Sequence, residues 1–277
     1  MKRLFVALQY LLPHHLLSRL VYVAVRWTWT PWKNLLIRVI TWVFRIDTQE
    51  AVRRAPDEYV HFNDFFTREL TADARPIASG DVLACPSDGK ISQAGKIEAE
   101  TLLQAKGRHF TLQALLAERT DLVEIFENGH FATIYLAPSN YHRVHMPVTG
   151  RLTETIYVPG RLFSVSPLTV ANVPNLFARN ERLICCFETD HGEVAVILVG
   201  AMLVSGMETV WGGECGHGRR VVTETFEAGA LLQRGEEMGR FNMGSTVIVL
   251  CREGTMEWTG LTQEQPVQMG EAIGRWK

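Results

Sequence analysis

The sequence predicts an α+β fold, with an N-terminal helical segment followed by a mainly antiparallel β domain. Helical periodicity is concentrated in the first seventy residues. From Asp81 onward, apolar runs of β type recur between Gly and Pro residues, and they do not alternate with helices. The clearest of these runs are 131–136, 183–189, 194–204 and 246–251. We therefore expect a basic amphipathic helical segment over residues 1–70 and a β-rich domain over 71–277.

Composition sets the broad class of the protein. A chain of 277 residues with 47% hydrophobic content can bury a substantial core. A formal net charge of -2 argues against a nucleic-acid-binding protein. The cysteines are odd in number and show no CxxC spacing, which predicts free thiols in a reducing compartment. They are residues 85, 185, 186, 215 and 251.

The extreme N-terminus resembles a signal peptide only superficially. Lys2-Arg3 precedes an apolar run over 4–12, but Pro13 interrupts that run and no small-residue cleavage site follows. After Leu17, charges and prolines recur too often for the roughly 20 apolar residues that a transmembrane helix needs. We therefore expect neither a cleaved signal nor a spanning helix.

Residues 1–46 instead have the pattern of an amphipathic surface segment. Arg19, Arg26 and Lys33 recur at seven-residue spacing, which places cations on one stripe of a helix, and no acid occurs before Asp47. Arg38 and Arg45 repeat that spacing. Pro31 should separate two helices, near 15–29 and 31–45.

Tryptophans strengthen the membrane interpretation of this segment. Trp27, Trp29, Trp32 and Trp42 are of the residue type favoured at a lipid–water boundary. The pattern predicts that residues 1–46 lie on an anionic membrane surface, as a membrane-associating segment. The alternative is a helical hairpin packed on its own domain or at a dimer interface.

Three local patterns predict structural elements. Phe62, Phe65 and Phe66 lie at helical spacing and are most simply core residues. Thr111 is a candidate cap for a short helix that begins at Leu112. The sequence 190–192, Asp-His-Gly, is typical of a hairpin turn between two strands.

The segment 239–250 places a Gly-Ser-Thr triplet directly before an apolar β-type run. Gly244 can adopt strained backbone angles, so the Ser245 hydroxyl can approach the carbonyl carbon of its own preceding peptide bond. Attack there converts the amide into an ester. Elimination of the ester would then leave dehydroalanine and finally a pyruvoyl group at position 245. The sequence therefore predicts self-cleavage between Gly244 and Ser245.

Ser245 needs a base, and His145 and Asp88 are the candidates. A carboxylate in the turn 87–89 could orient the imidazole, although Ser-Asp-Gly is more often an ordinary turn. His142 and His145 have a spacing that could chelate a metal on a helix, but Pro138 and Pro147 bracket them. We expect no metal, and either histidine could be structural.

Several blocks of sequence resemble the phosphatidylserine decarboxylase family. They cover roughly residues 60–250 in order, which makes the resemblance much stronger than the Gly-Ser-Thr triplet alone. The blocks are Phe62-Asn63-Asp64-Phe65-Phe66, Pro86-Ser87-Asp88-Gly89, Tyr141-His142-Arg143-Val144-His145-Met146-Pro147, 160–165, 175–182 and 234–246.

The resemblance implies roles for individual residues. Asp88, His145 and Ser245 would form the self-processing triad, and His142 would act in decarboxylation as a proton donor to the substrate. Phe163 and Ser164 would line the substrate pocket, although they could equally be ordinary strand residues. Arg179 and Arg182 would be structural residues or headgroup contacts.

The resemblance also implies an activity. The β-rich domain would be catalytic and would cleave itself into a β chain, 1–244, and an α chain, 245–277, that carries the pyruvoyl cofactor. That carbonyl would withdraw electrons from the substrate, as pyridoxal phosphate does in other decarboxylases. Phosphatidylserine would be decarboxylated to phosphatidylethanolamine by a peripheral enzyme on the cytoplasmic face of the inner membrane. A homodimer is compatible with this interpretation, and no nucleic-acid partner is expected.

Three alternatives stay open from the residues alone. A serine hydrolase could use Asp88, His145 and Ser245 without cleavage, but Val247 replaces the second glycine of a Gly-x-Ser-x-Gly elbow. A non-enzymatic, membrane-associated lipid-binding domain would leave the Gly244–Ser245 bond intact. A soluble pyruvoyl decarboxylase would act on a free amino acid.

Overall fold

The structure is a computed structural model that describes residues 2–105, 107–202, 206–215, 218–242 and 245–277. Its helices are α1 (Lys2–Leu11), α2 (His14–Arg26), α3 (Thr30–Phe44), α4 (Phe62–Phe66), α5 (Leu112–Leu115), α6 (Thr120–Phe126), α7 (Pro167–Val170) and α8 (Leu176–Arg179), with a 3₁₀ turn over Pro56–Glu58.

The strands lie almost entirely after residue 80, as the sequence predicts. They are β1 (Val82–Ala84), β2 (Gly89–Lys96), β3 (Thr101–Ala105), β4 (Arg108–Thr111), β5 (His130–Leu136), β6 (Arg143–His145), β7 (Gly150–Val158), β8 (Arg182–Thr189), β9 (Gly192–Gly200), β10 (Met207–Thr209), β11 (Gly213–Cys215), β12 (Val222–Thr225), β13 (Leu231–Leu232), β14 (Glu237–Phe241), β15 (Ser245–Cys251), β16 (Met256–Trp258), β17 (Pro266–Val267) and β18 (Ala272–Trp276). The pairings between these strands are antiparallel, which confirms that part of the predicted fold class.

A nine-stranded sheet forms the centre of the β domain, in the order β12-β7-β8-β9-β15-β5-β2-β17 with β13 added to β7. Strand β15 lies between β9 and β5 and is buried along its whole length. Ile248 and Leu250 face a core that includes the short helices α5 and α8. Val247 and Val249 face a second core, which the smaller sheets β11-β10-β14-β6 and β1-β18-β16 cover. An apolar run buried on both faces explains why β15 was predictable.

Four smaller predictions are confirmed. Phe62, Phe65 and Phe66 of α4 are buried. Thr111 caps α5, because its side chain accepts a hydrogen bond from the amide of Ala114. Strands β8 and β9 pair as a hairpin around 190–191. The five cysteines are thiols.

The N-terminal helices differ from the prediction in two respects. Helix α1 was not predicted, and α2 and α3 occupy 14–26 and 30–44, with Pro31 in the first turn of α3. Pro13 lies between α1 and α2, so the interruption that argued against a signal peptide separates two helices.

The prediction that the cations of residues 1–46 form one continuous exposed stripe is wrong. Lys33 is buried and its Nζ donates to the carbonyl of Pro56 at 2.9 Å. Arg26 pairs with Glu214 at 2.6 Å, an acid that is distant in sequence and therefore invisible to a local charge pattern. Arg19, Arg38 and Arg45 are exposed. Three cations rather than a full stripe are thus free to face an anionic surface.

One face of α2 and α3 packs on the protein itself. Val25 and Ile37 join a small core with Phe62, Phe65 and Phe66, as the hairpin alternative predicts. The other face exposes large apolar side chains, among them Leu16, Leu20, Trp27, Trp29 and Trp42. Among the described helices, none combines the length and the hydropathy that crossing a bilayer requires.

Candidate active site

Ser245 is the first residue of β15, and its side chain is fully buried. Its partners across the two neighbouring strands are Gly200 of β9 and Leu136 of β5. Its Oγ has no hydrogen-bond partner among the described residues. Gly244, the other half of the predicted cleavage site, lies outside the described residues. A buried hydroxyl without a hydrogen bond is costly for folding, which is typical of a group reserved for chemistry.

Strand β6, which contains His145 and follows directly after His142, lies against the strand that leads into Ser245. β6 pairs with β14, and His145 is opposite Glu237 in that register. The amide of Phe241, at the end of β14, donates to the carbonyl of His142 at 3.0 Å. Val144 and Met146 flank His145 and belong to the core that one face of β15 covers. Ser245 begins β15, and the fold therefore brings β6 to one face of that strand.

His145 has a defined tautomer. Its Nδ1 lies 2.8 Å from the carbonyl oxygen of Gly235, which can only accept, so Nδ1 carries the proton. Its Nε2 lies 2.9 Å from the hydroxyl of Tyr141. Burial lowers the pKa of His145, and the Gly235 hydrogen bond, Glu237 and Asp88 oppose that shift. In the neutral ring, Nε2 therefore carries a lone pair, which accepts a hydrogen bond from the Tyr141 hydroxyl.

His142 is fully buried and neutral. Burial lowers its pKa to about 3, against the opposing effect of its hydrogen bond to Asn140. Nδ1 donates to the carbonyl of Asn140 at 2.8 Å, and the ring contacts that of Phe66 with centroids 4.1 Å apart and planes tilted by 40°. Nε2 has no hydrogen-bond partner in the part of the chain that the structure describes. His142 thus offers an unoccupied lone pair, which makes it a proton acceptor before it can be a donor.

Asp88 is bound by partners other than His145. Arg75 donates to both carboxylate oxygens, from Nε at 2.9 Å and from Nη2 at 2.6 Å. The amide of Met269 donates to Oδ1 at 2.9 Å. Asp88 is close to His145 through the backbone, because the amide of His145 donates to the carbonyl of Pro86. The structure brings Asp88 and His145 into neighbouring segments without a carboxylate–imidazole hydrogen bond.

Phe163 and Ser164 lie beside the N-terminal helices. The Phe163 ring is buried against Tyr10 and His14, and the amide of Ser164 donates to the side chain of Gln9 at 2.9 Å. Neither residue has a hydrogen bond or ring contact with Ser245 or the two histidines among the described interactions. They are therefore connected to the site only indirectly.

Asn180 provides that connection. Its Oδ1 accepts from the amide of Phe163, and its Nδ2 donates to the carbonyl of Phe163 and to that of Gly200, each bond being 2.9 to 3.0 Å long. Gly200 is the strand partner of Ser245. Asn180 thus ties the 160–165 segment to the strand beside the nucleophile.

Sequence reasoning missed Asn180, Arg75 and Tyr141 as parts of the site. Asn180 lies in a block that resembled the family but suggested no chemistry, and Arg75 lies outside every block that resembles the family. Tyr141 is adjacent to His142 in the sequence, and this adjacency was the one available signal. Arg182 is structural, since its guanidinium donates to the backbone carbonyls of 114, 115, 178 and 180.

The described residues contain no cluster of three or more His, Cys, Asp or Glu side chains that could hold a metal ion. A cofactor built from the chain itself needs only a nucleophile, a carbonyl and a proton acceptor. Ser245 has the chemistry of the nucleophile, and the lone pairs of His142 and His145 have the chemistry of the proton acceptor. The residues present therefore fit a group formed at position 245.

Known proteins match this chain over almost its whole length. The family model described as phosphatidylserine decarboxylase matches residues 62–275, and a second model, described as PSD, matches 4–45. A phosphatidylserine decarboxylase proenzyme of Methylococcus capsulatus is 51% identical over 98% of this chain and 96% of its own length. The proenzyme of Alkalilimnicola ehrlichii is 54% identical over 88% of this chain and 86% of its own. The proenzyme of Pseudomonas aeruginosa is 48% identical over 98% and 96%. The chain therefore belongs to the phosphatidylserine decarboxylase family.

Proposed function

We propose that this protein decarboxylates phosphatidylserine to phosphatidylethanolamine and CO2, after cleaving itself between Gly244 and Ser245. The observation that carries the proposal is the Ser245 hydroxyl, which is buried at the start of β15 and free of hydrogen bonds among the described residues. Self-processing is also consistent with the word proenzyme in the names of the relatives.

In self-cleavage, Oγ of Ser245 attacks the carbonyl carbon of Gly244 and the peptide bond becomes an ester. His145 gains a proton at Nε2 through the Tyr141 hydroxyl, which gives its own proton to Nε2 and takes that of Ser245. Asp88 assists through its charge, which favours the protonated imidazole without touching it. Elimination of the ester releases the 1–244 chain and leaves dehydroalanine. Its hydrolysis gives ammonia and the pyruvoyl group at the start of the 245–277 chain.

The pyruvoyl group would supply a carbonyl that condenses with the substrate amine and withdraws electrons as CO2 leaves. The serine headgroup arrives as an ammonium and must lose a proton before it can react. Nε2 of His142 carries an unoccupied lone pair, and the negative charge of the bound substrate would favour the protonated ring, so this nitrogen can take the proton once the substrate is in place. The same nitrogen then returns it to the carbon from which CO2 has left, which is the donor role that the sequence resemblance implies.

We propose that Phe163 acts only as a support for the pocket wall, and that Ser164, which has no contact with Ser245 or the two histidines among the described residues, contacts a part of the headgroup away from the reacting carbon. Phe163 is fully buried, so it supports the wall of the pocket through Asn180. Ser164 is only half-buried and could contact the headgroup. Substitution of Ser164 should therefore change KM more than kcat, whereas substitution of Phe163 should destabilise the fold.

We propose that residues 1–70 act as the membrane-associating segment of a peripheral enzyme on the cytoplasmic face of the inner membrane. The exposed apolar face of α1–α3 and the exposed Arg19, Arg38 and Arg45 support this role. The catalytic domain would be 71–277. A homodimer formed through the same helices is the competing use of that surface.

Flotation with anionic vesicles tests the membrane role. Replacing Trp27, Trp29 and Trp42 by Ser should reduce flotation strongly, most visibly at high salt. The matched control replaces Val221 and Val222, which are exposed on the β domain, by Ser. Equal flotation of both variants would exclude the helices as the contact, and a change in oligomeric state would favour the dimer.

The activity test compares phosphatidylserine vesicles with free serine, measuring released CO2. Wild type should act on the vesicles, and Ser245→Ala should be inactive and uncleaved. Activity on free serine alone would replace the lipid substrate with a free amino acid. An intact wild-type chain that hydrolyses esters would favour the serine hydrolase.

A further inference from the structure

Arg68 follows α4 and is buried, with 3% of the residue exposed. Its Nε and Nη1 have no hydrogen-bond acceptor among the described residues. Within that part of the chain, its guanidinium carbon lies 5.5 Å from the ring centroid of Phe65. Arginine stays protonated in proteins, so this charge cannot be removed by releasing a proton. Burying it without acceptors is costly for the free protein.

Arg182 shows how the same fold treats a structural arginine. It is 2% exposed, and its three nitrogens donate to backbone carbonyls at 114, 115, 178 and 180. The two arginines are about equally buried, but among the described residues Nε and Nη1 of Arg68 have no acceptor, whereas the same atoms of Arg182 do. The lack of acceptors around Arg68 is therefore a property of its site.

The neighbourhood of Arg68 is the candidate active site. The ring of Phe66, two residues earlier, contacts that of His142, and the carbonyl of Thr67 accepts from Arg143 at 3.0 Å. The charge of Arg68 also contributes to the low pKa of His142, after the larger effect of burial. The guanidinium thus lies next to the segment that carries both histidines.

Nearby carboxylates do not supply the missing acceptors. Asp88 and Glu50 are close enough to oppose the lowering of the Arg68 pKa that burial causes. Both, however, accept from Arg75, at 2.6 and 2.9 Å from its Nη2. The charges of Asp88 and Glu50 act on Arg68, but among the described residues their oxygens accept no hydrogen bond from it. Its N–H groups remain available for an oxyanion that enters the site.

We propose that Arg68 binds an anionic group of the phospholipid headgroup, a carboxylate or a phosphate, through parallel N–H···O bonds. This inference rests on the proposed function, because it assigns a ligand to that site. A guanidinium fork matches two oxygens of either group. Binding would give the cation the acceptors that the free protein lacks.

The experiment uses the full chain with Ser245→Ala, which cannot form the carbonyl and so separates binding from chemistry. Calorimetry measures Kd for two soluble probes, glycerophosphoserine and glycerophosphoethanolamine. Arg68→Met removes the cation, Arg68→Lys keeps the charge without the fork, and Arg182→Met is the matched buried control. The melting temperature Tm is measured for each variant.

Arg68→Met should weaken glycerophosphoserine binding by about 30-fold or more, the usual loss when a buried charged partner is removed. It should also raise Tm, because an unpaired buried charge disappears. Arg182→Met should lower Tm and leave Kd unchanged. Arg68→Lys should bind more weakly than wild type while folding normally.

The two probes identify the bound group. Equal weakening for both assigns Arg68 to the phosphate, and weakening for glycerophosphoserine alone assigns it to the carboxylate. Wild-type Kd values in both Arg68 variants would overturn the proposal, as would a fall in Tm for Arg68→Met like that of Arg182→Met with unchanged binding. Failure of the proposed function would appear separately, as absent decarboxylation by the wild type.

Discussion

Asp88→Asn tests the buried ion pair at the edge of the site. Asp88 accepts from Nε and Nη2 of Arg75 and from the amide of Met269, and both charged side chains are 7% exposed. The Asn amide nitrogen cannot accept, so it would leave an Arg75 N–H facing a donor. Breaking a buried pair from one side costs about 3–5 kcal/mol. Glu50 still accepts from Arg75 at 2.9 Å, so we expect the lower end, about 3 kcal/mol.

Urea unfolding in the Ser245→Ala background measures this loss, because that chain stays in one piece. The midpoint should fall by roughly 1 M with an unchanged slope. Arg75→Met should be similarly unstable, and the double variant should be less unstable than the sum, with a coupling energy of at least about 2 kcal/mol. If Asp88→Asn lowered the free energy of unfolding by less than about 0.5 kcal/mol, the Arg75–Asp88 ion pair would not be a stabilising buried pair.

Other substitutions test the two histidines and the link to Ser245. Tyr141→Phe removes the donor to Nε2 of His145 and should slow self-cleavage by about 5-fold to 10-fold, measured as fragment yield over time. Asn180→Leu leaves three backbone groups without their partner and should cost about 3 kcal/mol in urea unfolding, unlike the exposed control Asn172→Leu. His142 has a pKa of about 3 in the folded chain and 6.5 ordinarily, so the unfolded state binds its proton first as pH falls. Its contribution to stability is full above pH 6.5 and declines toward pH 3 by about 1.4 kcal/mol per pH unit, a slope that His142→Gln should lack.

The sequence was most informative where one local pattern determines an element. The run after Ser245 is apolar on both faces and became the buried strand β15. Thr111 and the turn at 190–191 were predictable for the same reason, since capping and hairpin signals depend on a few adjacent residues.

Contacts between distant segments were beyond a local pattern. The Arg26–Glu214 pair joins residues 188 positions apart, so the N-terminal charge pattern suggested a stripe with no acid to oppose it. Asn180 acts through backbone groups of Phe163 and Gly200, which only the folded sheet brings together. The structure places Asp88 and His145 in neighbouring segments, and their hydrogen-bond partners, Arg75 and Gly235, could not be read from the sequence.

The most direct test of the account is the denatured mass of purified, active protein, with the N-terminal group of any short fragment identified. The account predicts two chains, 1–244 and 245–277, with the shorter one blocked by a carbonyl and lacking the serine nitrogen. A single chain of full mass in active wild-type protein would contradict self-cleavage at Ser245, and with it the built-in carbonyl on which the proposed decarboxylation depends.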